Sequence, residues 1–255
     1  MTTGTRVGSL IGVVADPRVR LGIGTAALLV TALAACRDGV SQDEAGMFRA
    51  VNGLPDALQA PAWAVMQLGT IGAVPAAAGA AWLADDRELA GLLLASGTGT
   101  WALSKLVKQM VYRPRPAALL AGTRCRGREA AGLGYLSGHA GVAVALGAAA
   151  LPHLGPAGRA LAVTAIPVVG LTRVYVGAHL PLDVAGGAAL GLAVEALVSL
   201  ARSGKPARPR DTAPQPLTGR KSAGYEPASR AIGRQGLFRN RGRKQILQLG
   251  GFLRG

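Results

Sequence analysis

Three short stretches hold residue types suited to gripping an oxyanion and moving a proton: Lys108–Pro116 (KQMVYRPRP), Ser137–His139 (SGH) and Arg173–Asp183 (RVYVGAHLPLD). In the first, Arg115 follows Lys108 by seven residues, and Pro114 and Pro116 hold the chain around Arg115 extended. A guanidinium presents paired planar donors to phosphate oxygens, and an ammonium presents a compact charge. Together they suit a bound phosphoryl group. A single cation at such a position reads equally well as a side chain snorkelling to lipid headgroups. The run Arg113-Pro114-Arg115-Pro116 after Lys108 favours the anion.

Ser137-Gly138-His139 opens an apolar run. Free N–H groups at a helix start attract anions, Gly138 permits close backbone approach, and His139 would sit within a turn of the anion. Alone, the tripeptide also reads as an ordinary serine N-cap with a surface histidine. In the third stretch Arg173 adds a cation, and His179 and Asp183 are spaced to share one helix face. A carboxylate bonded to one ring nitrogen fixes the tautomer and frees the other nitrogen to attack. Pro181 between them suits an early helical position. These residues predict an anion grip, an oriented base and a nearby acid. They do not say which histidine is the nucleophile. His153 lacks such company and receives no role.

The elements that must position these stretches are apolar. Half of the 255 residues are hydrophobic, 37 are glycine, and only 16% are charged, well under the usual quarter. Apolar runs recur near residues 21–35, 61–84, 89–107, 138–154, 160–176 and 182–201, each near the length that crosses a bilayer. The expectation is an all-α bundle of six transmembrane helices. It divides the chain into a short cytoplasmic segment (1–20), a six-helix membrane domain (21–201) and a basic tail (202–255). Trp63 and Trp82 would mark opposite ends of the second helix.

The net charge is +15, but 13 Lys and Arg against Asp211 and Glu226 put +11 after Ala201. Pro206, Pro209, Pro214, Pro216 and Pro227 argue against a packed domain there. The reading is a solvated tail on anionic lipid, not a nucleic-acid binder, because no aromatic interleaving or binding motif accompanies the charge. Arg6, Arg18 and Arg20 before the first span and the tail after the last place both termini in the cytoplasm. The three stretches then face outward across a multi-pass plasma membrane protein. Arg113, Arg115, Arg124, Arg126 and Arg128 make an outward loop basic against that rule, and an anionic substrate would account for it. Cys36 and Cys125 fall on the same side, which allows a disulfide without requiring one.

At these spacings the chain resembles the type 2 phosphatidic acid phosphatase family, which shares its site with bacterial acid phosphatases and vanadium haloperoxidases. The family pattern is Lys, six residues, Arg-Pro; then Pro-Ser-Gly-His; then Ser-Arg, five residues, His, three residues, Asp. Lys108 to Pro116 fits fully. Leu136 stands where proline is usual, which should loosen the turn, and Thr172 replaces a serine. The resemblance spans about residues 61–200. It implies phosphoryl transfer without metal or cofactor. His179 would attack phosphorus, Asp183 would orient it, and His139 would protonate the leaving oxygen and then activate water. Lys108, Arg115, Arg173, Ser137 and Gly138 would hold the phosphoryl oxygens. The residues themselves supply no carboxylate cluster for two-metal chemistry.

The expected substrate is a membrane lipid phosphate, with a polyprenyl diphosphate such as undecaprenyl diphosphate first. Phosphatidylglycerophosphate, phosphatidate and a prenyl-phosphosugar stand close behind. Gly97, Gly99, Ala140, Gly141, Gly186 and Gly187 could open a groove for the lipid tail, though helix packing is the favoured reading. Two rivals remain. A non-hydrolytic lipid-phosphate binder or transporter would not need His179, and a vanadium haloperoxidase would not need the apolar runs. Oligomeric state is left open.

Overall fold

The computed structural model describes residues 16–127 and 131–203. The N-terminal segment with Arg6, Arg128, and the tail beyond Ser203 lie outside the described residues. All regular structure among those described is helical: α1 Pro17–Ala35, α2 Gln42–Asn52, α3 Gln59–Met66, α4 Ala73–Leu83, α5 Arg87–Val111, α6 Pro116–Leu119, α7 Gly138–Ala150, α8 Pro156–Tyr175 and α9 Pro181–Ser203, with short 3-10 turns at Asp56–Leu58, Gln67–Gly69 and Leu151–His153.

The six-span bundle does not survive. Among the described residues only α1, α8 and α9 are long and apolar enough to cross a membrane. A fourth span exists only if the helical pair Asp56–Gly69 and Ala73–Leu83, bent by 66°, counts as one. Each shortfall has a local cause. The second apolar run breaks at residues 70–72, so Trp63 and Trp82 sit on different helices, α3 and α4. In α5 the stretch Ser96-Gly-Thr-Gly-Thr100 and Lys105 dilute the apolar character. Helix α7 has 13 residues, about 20 Å at the helical rise, short of a bilayer's ~30 Å hydrocarbon core. The chain remains a multi-pass membrane protein, with large apolar side chains such as Leu29, Val30, Leu33, Leu161 and Val163 directed outward from α1 and α8.

Helix α7 lies between α5 and α9, and α9 also packs along α1. Small residues make this packing close, which settles most of the glycines as packing positions. A Cβ on Gly141 would meet the Gly187 carbonyl at 2.9 Å, and one on Gly24 would meet the Ala193 amide at 2.7 Å. Such approach suits helices that gain no hydrophobic drive from lipid. Arg20 anchors α1 to α9 through buried Glu195, Nε to Oε2 at 3.1 Å. Cys36 and Cys125 are free, exposed thiols.

Helix α2 was not anticipated. It starts at Ser41, whose side chain accepts from the Glu44 N–H at 3.2 Å, and its first turn carries Asp43 and Glu44. It crosses the segment expected to be an outward loop, and it brings Glu44 and Asn52 into the interior.

Candidate active site

Helix geometry delivers each of the three stretches. Helix α5 ends where Tyr112 takes a left-handed conformation (φ 47), an uncommon conformation for a non-glycine residue. Lys108 lies one turn earlier. Its ammonium donates to the carbonyls of Leu133 (3.3 Å), Gly134 (3.2 Å) and Leu136 (2.5 Å), the run that enters Ser137. Ser137 is the N-cap of α7, with Oγ accepting from the Ala140 N–H at 3.4 Å. It is fully buried, and its own N–H donates to the Asp183 carbonyl at 2.8 Å.

The third stretch is a turn tied back on α8. The N–H groups of Ala178 and His179 both donate to the Arg173 carbonyl, at 3.1 and 3.2 Å. Arg115 reaches this turn from the first stretch, with Nη1 on the Ala178 carbonyl at 2.7 Å and Nε and Nη2 on the Ala131 carbonyl. Hydrogen bonds thus join the first stretch to the run leading into the second, the second to the third and the third to the first. Lys108, Arg115, Arg173, His139, His179 and Asp183 also feel one another's charge across a single site.

Asp183 occupies the third position of α9, after Pro181 at the first. Its Oδ2 accepts from the Leu180 N–H at 2.8 Å, the backward reach of a capping box. That same oxygen lies 3.8 Å from His179 Nδ1. This is beyond hydrogen-bond length, so the contact at this geometry is electrostatic. Nδ1 is buried and has no other partner among the described residues. Burial pushes the imidazole of His179, in the turn before α9, down to about 4, and the Asp183 carboxylate opposes that shift. Catalytic hydrogen bonds are often long without substrate and tighten when it binds.

Arg173 is buried. Its Nη1 rests on Met66 Sδ, and its Nε has no hydrogen-bond partner among the described residues. Arg115 and Arg173 line a cavity of about 740 Å³ together with Trp63, Met66, Arg126 and Ala178. An apolar groove of about 650 Å³ runs past Ala140, Val144, Ile166 and Val184. A larger cavity, about 960 Å³, lies beside Asp86 and His153 and is lined by none of the candidate residues. His153 pairs with Asp86 at 2.7 Å.

Both departures from the family pattern are absorbed. Leu136 is fully buried against Tyr135, Leu190 and Val194, so apolar contact holds the turn that proline would otherwise stiffen. Thr172 Oγ1 bonds back to the Val169 carbonyl at 2.7 Å.

The basic loop divides its arginines differently from the expectation. Arg113 does not reach the cavity. It is buried between two carboxylates, with Nη1 on Asp183 Oδ1 at 2.9 Å and Nη2 on Glu44 Oε2 at 2.6 Å. Arg126 is held by Asp56, by the carbonyls of Asn52, Leu54 and Tyr175, and by the Tyr175 ring 4.1 Å away. Asn52 in turn clamps the Arg124 backbone at both N–H and C=O. Glu44 and Asn52 escaped sequence reasoning. The pattern Ser41-Gln-Asp-Glu44, a helix-start signature, was the signal that could have found α2 and so Glu44.

Among the described residues no group of three or more His, Cys, Asp or Glu side chains is gathered where it could hold a metal ion. Residues 89–206 match the model of the PAP2 superfamily. Two solved structures share the fold. One is the transmembrane PAP2-type phosphatidylglycerolphosphate phosphatase of Bacillus subtilis, at 22% identity and TM-score 0.57, covering 73% of this chain and 99% of that one. The other is Aquifex aeolicus LpxE, at 22% identity and TM-score 0.56, covering 61% of this chain and 93% of that one. No curated protein matches the chain. The fold is therefore one shared with these two structures, and residues 89–206 carry the PAP2-superfamily match.

Proposed function

We propose that this protein is a metal-independent lipid phosphatase working through a phosphohistidine. The observation that carries the reading is the meeting of Lys108, Arg115 and Arg173 with His139, His179 and Asp183 around one site, where Arg115 holds the Ala178 carbonyl and the Ser137 N–H holds the Asp183 carbonyl. His179 Nε2 attacks phosphorus while Nδ1 turns to Asp183. The bond to the lipid oxygen breaks as His139 donates a proton to it, a proton that His139, held down to about 3 by burial and the nearby cations, takes up when the phosphate dianion binds beside it. Water, deprotonated by His139, then displaces His179 and releases inorganic phosphate. The three cations with Ser137 Oγ and the Gly138 N–H hold the equatorial oxygens, where preset donors lower the barrier most. A depressed His179 basicity keeps its ring neutral, and so nucleophilic, over the working pH range.

The substrate is a lipid phosphate whose headgroup enters the cavity under Arg115 and Arg173 and whose tail follows an apolar groove. A glycerolipid monoester such as phosphatidylglycerophosphate stands ahead of an isoprenoid diphosphate, because the Bacillus subtilis enzyme of similar fold bears that activity in its name. The site faces the extracytoplasmic side, at the turn that joins the spanning helices α8 and α9. Phosphate release by purified protein in detergent, over a panel of lipid mono- and diphosphates, tests the reading. Preference for the glycerolipid monoester is expected. Release only from prenyl diphosphates restores the other substrate, and release from none removes the activity.

A further inference from the structure

Arg113 falls among the six unspecified positions between Lys108 and Arg115, and Glu44 lies outside the matched residues 89–206. Neither belongs to the three-part pattern, yet both are buried, and Arg113 links Glu44 to the carboxylate that faces His179. Arg113 Nη1 is shared between Asp183 Oδ1 (2.9 Å) and Glu44 Oε1 (3.1 Å), while Nη2 binds Glu44 Oε2 (2.6 Å). Glu44 Oε1 also accepts from the Leu182 N–H at 3.0 Å, in the first turn of α9.

We propose that Glu44 and Arg113 are positioning residues for Asp183, a role resting on the phosphatase reading above. Asp183 has two oxygens. Arg113 takes Oδ1 and the Leu180 N–H takes Oδ2, which fixes the carboxylate plane so that Oδ2 faces His179 Nδ1. One guanidinium against two carboxylates leaves one net negative charge in the cluster. Glu44 therefore neutralises Arg113, and Asp183 keeps its charge for the imidazole that becomes cationic as it bonds to phosphorus. Glu44 also ties α2 to the turn of α9 that carries Asp183. Only a planar fork can bridge two carboxylates in this way, and an ammonium cannot.

The test uses the full-length protein in detergent, a lipid phosphate substrate, and the variants Arg113→Lys, Glu44→Gln and the charge-balanced pair Glu44→Gln with Arg113→Gln. Each variant is measured for kcat, KM and unfolding temperature. Arg113→Lys is expected to lower kcat at least about tenfold while KM stays within about twofold, because the loss falls on the chemical step. The balanced pair is expected to recover unfolding temperature relative to a further control, Arg113→Gln alone, which leaves two buried carboxylates without a counter-charge, while kcat stays low. A merely structural cluster would return activity together with stability. Wild-type kcat in either Arg113→Lys or the folded balanced pair overturns the positioning role, as does a loss confined to KM. A wild-type protein that releases no phosphate removes the phosphatase reading and this role with it. An active wild type beside an unchanged Arg113→Lys removes only the role.

Discussion

Arg113 and Arg115 stand two residues apart and carry the same side chain, yet they serve opposite regions. Arg113 is buried in ion pairs with Glu44 and Asp183. Arg115 is half-buried, spends its donors on the Ala131 and Ala178 carbonyls, and lines the 740 Å³ cavity with Arg173. A charge that meets a carboxylate is neutralised and fixes geometry. A charge that meets only carbonyl dipoles keeps its field for an incoming anion. On the proposed mechanism the first region sets the histidine, and the second receives the phosphate.

That division orders the consequences of breaking each part. His179→Ala should lower phosphate release by at least about 10³-fold, since the attacking atom is gone. Membrane insertion should persist, checked by membrane fractionation. Asp183→Asn should lower kcat by about 10²-fold or more with a smaller change in KM, as befits a group that orients the nucleophile. It also puts an amide NH2 against either Arg113 or the Leu180 N–H, both of which need an acceptor there, so a drop in unfolding temperature should accompany it. Arg115→Ala should act on the other region. Loss of charged hydrogen bonds worth about 1.5–3 kcal/mol should cut kcat/KM roughly ten- to hundredfold, with the larger part in KM. Steady-state kinetics on the two variants would erase the contrast if both losses fell on the same constant.

The smallest effect concerns pH. Burial holds His179 near 4, below its ordinary 6.5, so the unfolded chain binds a proton that the folded chain refuses. Stability from this group is therefore full above 6.5 and falls as pH drops toward 4, by up to about 1.4 kcal/mol per pH unit. Thermal unfolding of wild type against His179→Gln across that window measures it. The variant's profile should be the flatter one. The acid limb of kcat/KM, where His179 must be neutral, should likewise lie nearer 4 than 6.5.

The sequence made the site more legible than the fold. Lys108, Arg115, Ser137, His139, Arg173, His179 and Asp183 sit at fixed spacings, and the structure gathers them at helix ends where side chains converge. Their chemical roles rest on the proposal. The runs near residues 21–35, 89–107, 160–176 and 182–201 were also readable as helices, because apolar runs mark helices, and they lie within or against Pro17–Ala35, Arg87–Val111, Pro156–Tyr175 and Pro181–Ser203. The span count was not. Apolar content does not distinguish α7, enclosed by α5 and α9, from a lipid-facing helix, and it does not reveal the break at residues 70–72. Glu44 was hidden for another reason. Its partners, Arg113 and Asp183, are far away in sequence, and local spacing carries no sign of them.

The central claim is that His179 carries the phosphoryl group. Rapid alkaline quenching of purified protein turning over a radiolabelled lipid phosphate, followed by peptide mapping, tests it directly. The account predicts an acid-labile, alkali-stable label on the peptide holding His179, absent in His179→Ala. Phosphate release undiminished in His179→Ala, or turnover with the label on another residue, would contradict it.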